Sequence, residues 1–260
     1  MMIDPLAGII SIACDADHDR HGIVTHGAPN HYLAVAIDYL FRHRADWLHS
    51  AAVGKTLVSS QLIDRVSASL KREVFDVPIR FKWFASGLFE GTLGVADEES
   101  AGATFLRRDG RAWTTDKDGF VPSLLSAEIP ARAGRDPVAL YSDLTREIAE
   151  PVAKIIQALA PPAQKRPLAK LSPDYVESVN LVGDKIQVVH NRAPANVADI
   201  DGIKVETYRA WFAARPSGFE DIYNMYAESF RGTDHLALVL EEPQVIADKA
   251  LAMAAVRQGG

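Results

Sequence analysis

The 260 residues are 48% hydrophobic and 24% charged, enough chain for one large domain or two ordinary ones with a substantial core. A net charge of −6 argues against a polyanion-binding surface, so no nucleic-acid partner is expected. One cysteine, Cys14, excludes an internal disulfide framework and fits a soluble cytoplasmic protein, while the longest early apolar run, 6–14, is too short to span a bilayer and follows no basic stretch.

Residues 8–14, Gly-Ile-Ile-Ser-Ile-Ala-Cys, read as a strand apolar on both faces and therefore suited to burial on both. Residues 15–22 form a loop. Asn30 caps an amphipathic helix running to about Trp47, with Leu33, Ile37, Leu40 and Phe41 on one stripe. A strand follows at 52–58, and Ser60 caps a helix carrying Leu62, Ile63, Val66 and Leu70. A strand at 74–79, a short helix at 83–88 and a strand near Gly94 lead to helices at 117–132 and 137–149. Strands alternating with helices at this spacing imply an α/β unit with a mixed or largely parallel sheet. Pro161 and Pro162 are expected to stop any helix and mark a boundary. Short strands at 185–190, 202–208 and 211–215, then a helix at 235–256, read as a small C-terminal α+β domain.

Asp15, Asp17 and Asp19 alternate in a loop leaving the C-terminal end of a strand, where α/β sheets place ligands. Three carboxylates at that spacing can converge on one hard divalent cation; a solvated acidic turn is the alternative. An EF-hand is excluded, since its sixth and twelfth positions hold Arg20 and His26 in place of Gly and Glu. Gly54-Lys55-Thr56 is no phosphate loop, because His49 occupies the position of the leading Gly, and Lys55 reads as a surface or strand-end lysine. The turn at 97–102, Asp-Glu-Glu-Ser-Ala-Gly, offers hydrogen-bonding groups suited to sugar hydroxyls. Arg215-Pro-Ser217-Gly218 combines a guanidinium, a hydroxyl and backbone amides, the chemistry of phosphate capture, or else an ordinary β-turn.

In this order the motifs resemble the α-D-phosphohexomutase family, in particular the C-terminal half of its bacterial α-D-glucose-phosphate-specific phosphoglucomutases. The resemblance rests on Asp-x-Asp-x-Asp-Arg-His-Gly-Ile-Val at 15–24, Gly-Lys-Thr-Leu-Val-Ser-Ser at 54–60 and Phe-Lys-Trp-Phe at 81–84. Glu-Glu-Ser-Ala-Gly at 98–102, Thr-Thr-Asp-Lys-Asp-Gly at 114–119 and Trp-Phe-Ala-Ala-Arg-Pro-Ser-Gly at 211–218 complete it. Such proteins have four domains around one cleft. The resemblance therefore implies a second-domain remnant with a metal loop at 1–25, a third, sugar-binding α/β domain at 30–150 and a fourth, phosphate-binding α+β domain at 164–260.

The implied reaction interconverts α-D-glucose 1-phosphate and glucose 6-phosphate through an enzyme phosphoserine and glucose 1,6-bisphosphate, supported by Mg2+ as a Lewis acid. By motif, Asp15, Asp17 and Asp19 are implied metal ligands, and Arg20 is an implied catalytic residue that steadies their loop or the phosphoserine. Lys117 is implied as a cationic contact or proton-transfer group. Glu98, Ser100, Lys82 and, more weakly, His21 are implied sugar contacts, and Arg215, Ser217 and Gly218 phosphate contacts. Departures are also plain. The Ser-His-Asn-Pro nucleophile segment has no counterpart, which implies a chain inactive alone or complemented by a separately encoded N-terminal half. Family glycines are replaced by Arg80 and by Ala96-Asp97, the latter adding bulk and negative charge to the sugar loop, and Phe219 replaces a threonine. Alternatives are a non-catalytic fragment binding a sugar phosphate or divalent metal, and a phosphomannomutase-like mutase. The strand at 8–14, finally, is expected to lack a partner strand within the chain.

Overall fold

A computed structural model describes residues 11–24, 32–218 and 220–258, divided into two units, Met1–Ala149 and Glu150–Gly260. Among the described residues the first unit opens with a hairpin. Strands β1 (Ser11–Cys14) and β2 (His21–Val24) pair antiparallel, Ser11 opposite Val24 and Cys14 opposite His21. This corrects two expectations. The strand finds its partner ten residues downstream, in what reads as a loop, and Ile12 and Ala13 are exposed where burial on both faces was expected. A short turn between the strands closes the pairing at little entropic cost and satisfies the groups on the facing edges of both. Residues 8–10 lie outside the described residues, as does Asn30, the expected cap of the first helix.

That helix, α1, covers Tyr32–His43, and Ile37 and Leu40 of its stripe are fully buried. Then come β3 (Ala52–Thr56), α2 (Gln61–Ser69), β4 (Val74–Val77), a 3-10 turn at Phe81–Phe84, α3 (Ala85–Glu90), β5 (Leu93–Asp97) and β6 (Ala103–Phe105). Helices α4 (Phe120–Ala133) and α5 (Pro137–Ile148) complete the unit. The sheet order is β4-β3-β5-β6, with β3 parallel to β4 and β5, and β6 antiparallel on β5. Ser60 caps α2 as expected, its Oγ accepting from the Leu62 amide at 3.0 Å. The next helix starts three residues later than its pattern suggested. Asp118 Oδ1 accepts from the amides of Phe120 at 2.7 Å and Val121 at 3.0 Å, and so closes the first turn of α4. Strand β6 escaped the sequence because three residues carry no period.

The second unit contains β7 (Val152–Leu159), α6 (Pro162–Ala169), a 3-10 turn at Pro173–Tyr175, β8 (Asn180–Leu181) and β9 (Asp184–Lys185). After them come β10 (Val188–Arg192), β11 (Asp199–Glu206), β12 (Ala210–Pro216), β13 (Ile222–Ser229) and α7 (Thr233–Gln258). Five strands form one antiparallel sheet in the order β10-β11-β12-β13-β7. Its core joins Ile203, Val205, Phe212 and Met225 to Leu168 of α6 and Leu236 and Val239 of α7. Burying a side chain such as Phe212 contributes about 1.5–3 kcal/mol. Pro162 does not stop a helix; it starts one, standing at the first helical position, where its missing N–H costs nothing. Strand β7 lies before the expected domain start at 164. It is an edge strand of the second unit's sheet, and Lys154, Gln157 and the largely exposed Leu159 obscure its pattern. The α/β architecture followed by a small α+β domain is as expected. Among the described residues, no helix is long and apolar enough to cross a membrane.

Arg80, ahead of the 3-10 turn, has φ of +155°, a backbone setting that glycine adopts far more readily than a side chain does. Releasing such strain is worth about 1–3 kcal/mol, against about 0.5–1 kcal/mol for the greater freedom of glycine in the unfolded chain. Arg80→Gly should therefore raise stability by about 1 kcal/mol. Urea unfolding with an unchanged or lowered midpoint would show that the conformation carries no strain.

Candidate functional site

The turn between β1 and β2 folds on itself. The His18 amide donates to Asp15 O at 3.1 Å with His18 at φ +59°, and the Arg20 amide donates to Asp15 Oδ1 at 3.1 Å. Asp15, Asp17 and Asp19 each present one carboxylate oxygen, all within 4.8 Å of one another. The Arg20 guanidinium lies 3.8 Å from Asp15 and 3.7 Å from Asp19. Partial burial acts to raise the Asp15 pKa, but the Arg20 amide and charge outweigh it and hold the carboxyl below its ordinary value. Asp19 Oδ1 is buried with no hydrogen-bond partner. An all-oxygen anionic donor set with one unsatisfied buried oxygen fits a hard divalent cation.

Strand β5 runs into the second loop. The Glu98 amide donates to Gly102 O at 2.8 Å and the Ala101 amide to Glu98 O at 3.1 Å, closing a turn with Ala101 at φ +64°. Three backbone bonds stitch this turn and the start of α4 to the aspartate loop: His21 N to Ala101 O at 3.2 Å, Asp118 N to Ala103 O at 3.0 Å and Gly119 N to His18 O at 2.8 Å. At their meeting point the Lys117 ammonium lies 3.0 Å from Asp19 Oδ2 and 3.4 Å from Glu98 Oε2. Burial alone would lower the Lys117 pKa; the two carboxylates outweigh it, so the net shift is upward. Lys117 thus stays charged, as suits a cationic contact and not a free base. Two glycines make the approach possible. A Cβ on Gly102 would lie 2.6 Å from Lys117 Cδ, and one on Gly119 would lie 2.6 Å from Arg20 O.

The structure therefore brings together Asp15, Asp17, Asp19, Arg20, Glu98 and Lys117, with half-buried Ser100 in the same turn. His21 is elsewhere in character. It is 8% exposed, its ring meets Tyr32 edge-on at 5.8 Å, and burial depresses its pKa to about 4. Lys82 is exposed, its ammonium 4.7 Å from the Trp83 ring, and no hydrogen bond or ion pair among the described residues joins it to the Lys117 group.

Two residues behind the turn differ from expectation. Lys55 is not a surface lysine; it is fully buried on the central strand β3, its Nζ 2.6 Å from Asp64 Oδ2. Asp97 does not load charge onto the open side of the 98–102 turn, as the resemblance implied it would. Its carboxyl is buried, register-paired with Lys55 and hydrogen-bonded to Ser59. Burial first, then the neighbouring Glu99 charge, pushes its pKa well up. Nothing in the local sequence marks Lys55 as buried, because only the parallel pairing on both sides of β3 encloses it.

In the second unit, Arg215 stands near the C-terminal end of β12 opposite Asn224. Its Nε is buried and has no hydrogen-bond partner. The loop beyond it is closed by Ser217 N to Ile222 O at 2.8 Å and by Glu220 N to Ser217 Oγ at 3.1 Å. A buried guanidinium donor without an acceptor, beside a hydroxyl and Gly218, is chemistry fit for a phosphate. Phe219 lies outside the described residues.

Residues 28–148 match the family described as phosphoglucomutase/phosphomannomutase, alpha/beta/alpha domain III. A curated phosphoglucomutase of Komagataeibacter xylinus is 50% identical over 255 residues, which are 96% of this chain and 46% of the relative. Among solved structures, Paramecium pp63/parafusin, an exocytosis-sensitive phosphoprotein and phosphoglucomutase in its open form, is similar with a TM-score of 0.69. Its identity is 17%, over 94% of this chain and 46% of that one. Aspergillus fumigatus N-acetylphosphoglucosamine mutase, in complex with GlcNAc-6P and magnesium, has a TM-score of 0.60 at 13% identity, over 94% and 49% of the two chains. At these identities the likeness to solved structures establishes the fold. The chain spans about half the length of the curated relative it matches.

His21 makes stability depend on pH. Its folded pKa of about 4 lies below the ordinary 6.5, so its contribution is present above about pH 6.5 and is lost as pH falls toward 4, by about 3 kcal/mol in all. His21→Leu should flatten that part of the profile. Equal losses in both proteins between pH 7 and pH 4.5, measured by urea unfolding, would show that His21 is not the group responsible.

Proposed function

We propose that this chain, whose residues 28–148 match the phosphoglucomutase/phosphomannomutase domain III and which spans about half of the curated phosphoglucomutase it matches, is a phosphohexomutase-family chain that supplies the sugar- and phosphate-reading half of the interconversion of α-D-glucose 1-phosphate and glucose 6-phosphate. The observation that carries this reading is the single ammonium of Lys117 held between Asp19 of the aspartate loop and Glu98 of the sugar turn.

In this reading Asp15, Asp17 and Asp19 hold a magnesium ion. The ion, when bound, supplies Lewis-acid neutralisation of phosphoryl charge. Arg20 steadies the loop by bridging Asp15 and Asp19. Lys117 holds a fixed positive charge where phosphoryl oxygens approach, a form of electrostatic positioning that needs no reorganisation. Glu98 accepts from sugar hydroxyls and Ser100 donates to or accepts from them. Arg215 Nε, Ser217 and the Gly218 amide grip the phosphate that is not transferred. Glucose 1,6-bisphosphate is the intermediate that such a site turns over. A reducing cytoplasm suits the lone Cys14. These 260 residues contain no Ser-His-Asn-Pro, so the phosphoryl donor is supplied from outside them, by a separately encoded N-terminal half or by a longer form of the chain.

The 260-residue chain on its own should then show no mutase turnover with glucose 1-phosphate, glucose 1,6-bisphosphate and magnesium. Positioned binding groups do not replace a nucleophile. A coupled assay giving turnover well above that of Lys117→Ala would overturn this.

Metal binding should be weak with three carboxylates alone, and manganese should bind more tightly than magnesium. Calorimetry on Asp17→Ala should find the manganese heat gone. Retained affinity in that variant would place the cation elsewhere.

A further inference from the structure

Glu98 and Glu99 are adjacent carboxylates with different partners. Glu98 lies beside Lys117, whereas Glu99 Oε2 accepts from Thr56 Oγ1 at 3.0 Å. Thr56 is fully buried at the end of β3, and its hydroxyl also meets Ser59 Oγ at 3.1 Å. Ser59, 2% exposed, is hydrogen-bonded in turn to the buried carboxyl of Asp97 at the end of β5. A chain of hydrogen bonds thus runs from the ends of two parallel strands into the middle of the 98–102 turn, with Glu99 as its last member. Register reinforces it, since Lys55, immediately before Thr56, is paired with Asp97.

Two internal backbone bonds close the turn, and its ends are anchored by the pairing of Asp97 with Ala103 and by the His21 amide on Ala101 O. The Thr56–Glu99 bond is a side-chain tie from the turn to the rigid sheet beneath. It is charge-assisted, and it is buried at the threonine end, where such bonds are strongest. Pulling Glu99 down to β3 leaves Glu98 to face Lys117 and fixes where Ser100 stands.

We propose that Thr56 is a positioning residue for the sugar-reading turn: through Glu99 it sets the placement of Glu98 and Ser100, and so governs recognition of the sugar, as distinct from the phosphate, of a hexose phosphate. The inference rests on the reading of that turn as sugar-binding. Removing the hydroxyl while keeping shape takes away the bond that ties Glu99 to the end of β3 and loosens the middle of the turn.

The test is titration of the full chain with glucose 1-phosphate and, separately, with inorganic phosphate, followed by calorimetry. Thr56→Val should weaken glucose 1-phosphate binding about tenfold and leave inorganic phosphate binding unchanged, while Thr56→Ser, which retains the donor, should stay near the parent value. Glu99→Gln, which keeps an acceptor, should likewise bind well, and Glu99→Leu should match Thr56→Val; this pair decides the matter should Thr56→Val fail to fold. Ser100→Ala tests the underlying reading. Unchanged affinity there means the turn does not read the sugar. Weakened affinity in Ser100→Ala with none in Thr56→Val and Glu99→Leu overturns the role of Thr56. An equal loss of glucose 1-phosphate and inorganic phosphate binding in Thr56→Val also overturns it, because it would mark a general loss of structure.

Discussion

The aspartate loop and the turn at 98–102 are held at one point by a lysine that neither of them contains. Lys117 stands three residues before α4, and its ammonium reaches Asp19 on one side and Glu98 on the other. Two carboxylates this close would repel each other, and a cation between them turns that repulsion into attraction on both sides. The arrangement tolerates partial burial because each charge has a partner; removing the lysine would leave two acids facing each other in a partly desolvated place. Small residues are the other condition. Gly102 lets the lysine stem cross the turn, and Gly119 lets α4 approach the aspartate loop.

Beneath this surface lies a second charged layer in which Lys55 and Asp97 are buried and Asp64 is partly open to solvent. Lys55 pairs with Asp64, and Asp97 sits beside both Lys55 and Ser59 at the ends of parallel strands. Parallel sheets are covered on both faces, so groups at their strand ends are buried whenever a loop folds over them. The layer is tolerable because Lys55 has its counter-ion and Asp97 is held toward its neutral form by burial. An aspartate that looks disruptive in the sequence is accommodated because its carboxyl is buried beside a serine and a lysine.

The second unit solves a different problem. An antiparallel sheet covered by α6 and α7 carries Arg215 to the end of a central strand, where a buried Nε lacks an acceptor. Such a donor is costly in a folded protein unless something arrives to satisfy it. A phosphate oxygen is one acceptor with both the charge and the geometry to do so.

Sequence alone determined the broad architecture, the helix capped by Ser60 and the residue types that converge near Lys117, because capping, apolar periodicity and short motifs are local properties of the chain. Motif order also carried the family resemblance. Local reading failed where partners are distant. It could not see that β2 satisfies β1, that β7 belongs to the second sheet, or that Pro162 opens a helix and does not end one. It also left Lys55 on the surface and Asp97 in the sugar loop, since burial at a strand end depends on which strands lie on either side. Only the folded chain decided those points, for a physical reason: hydrogen-bond pairing between strands and the enclosure of charge are set by residues tens of positions apart, and no single segment records them.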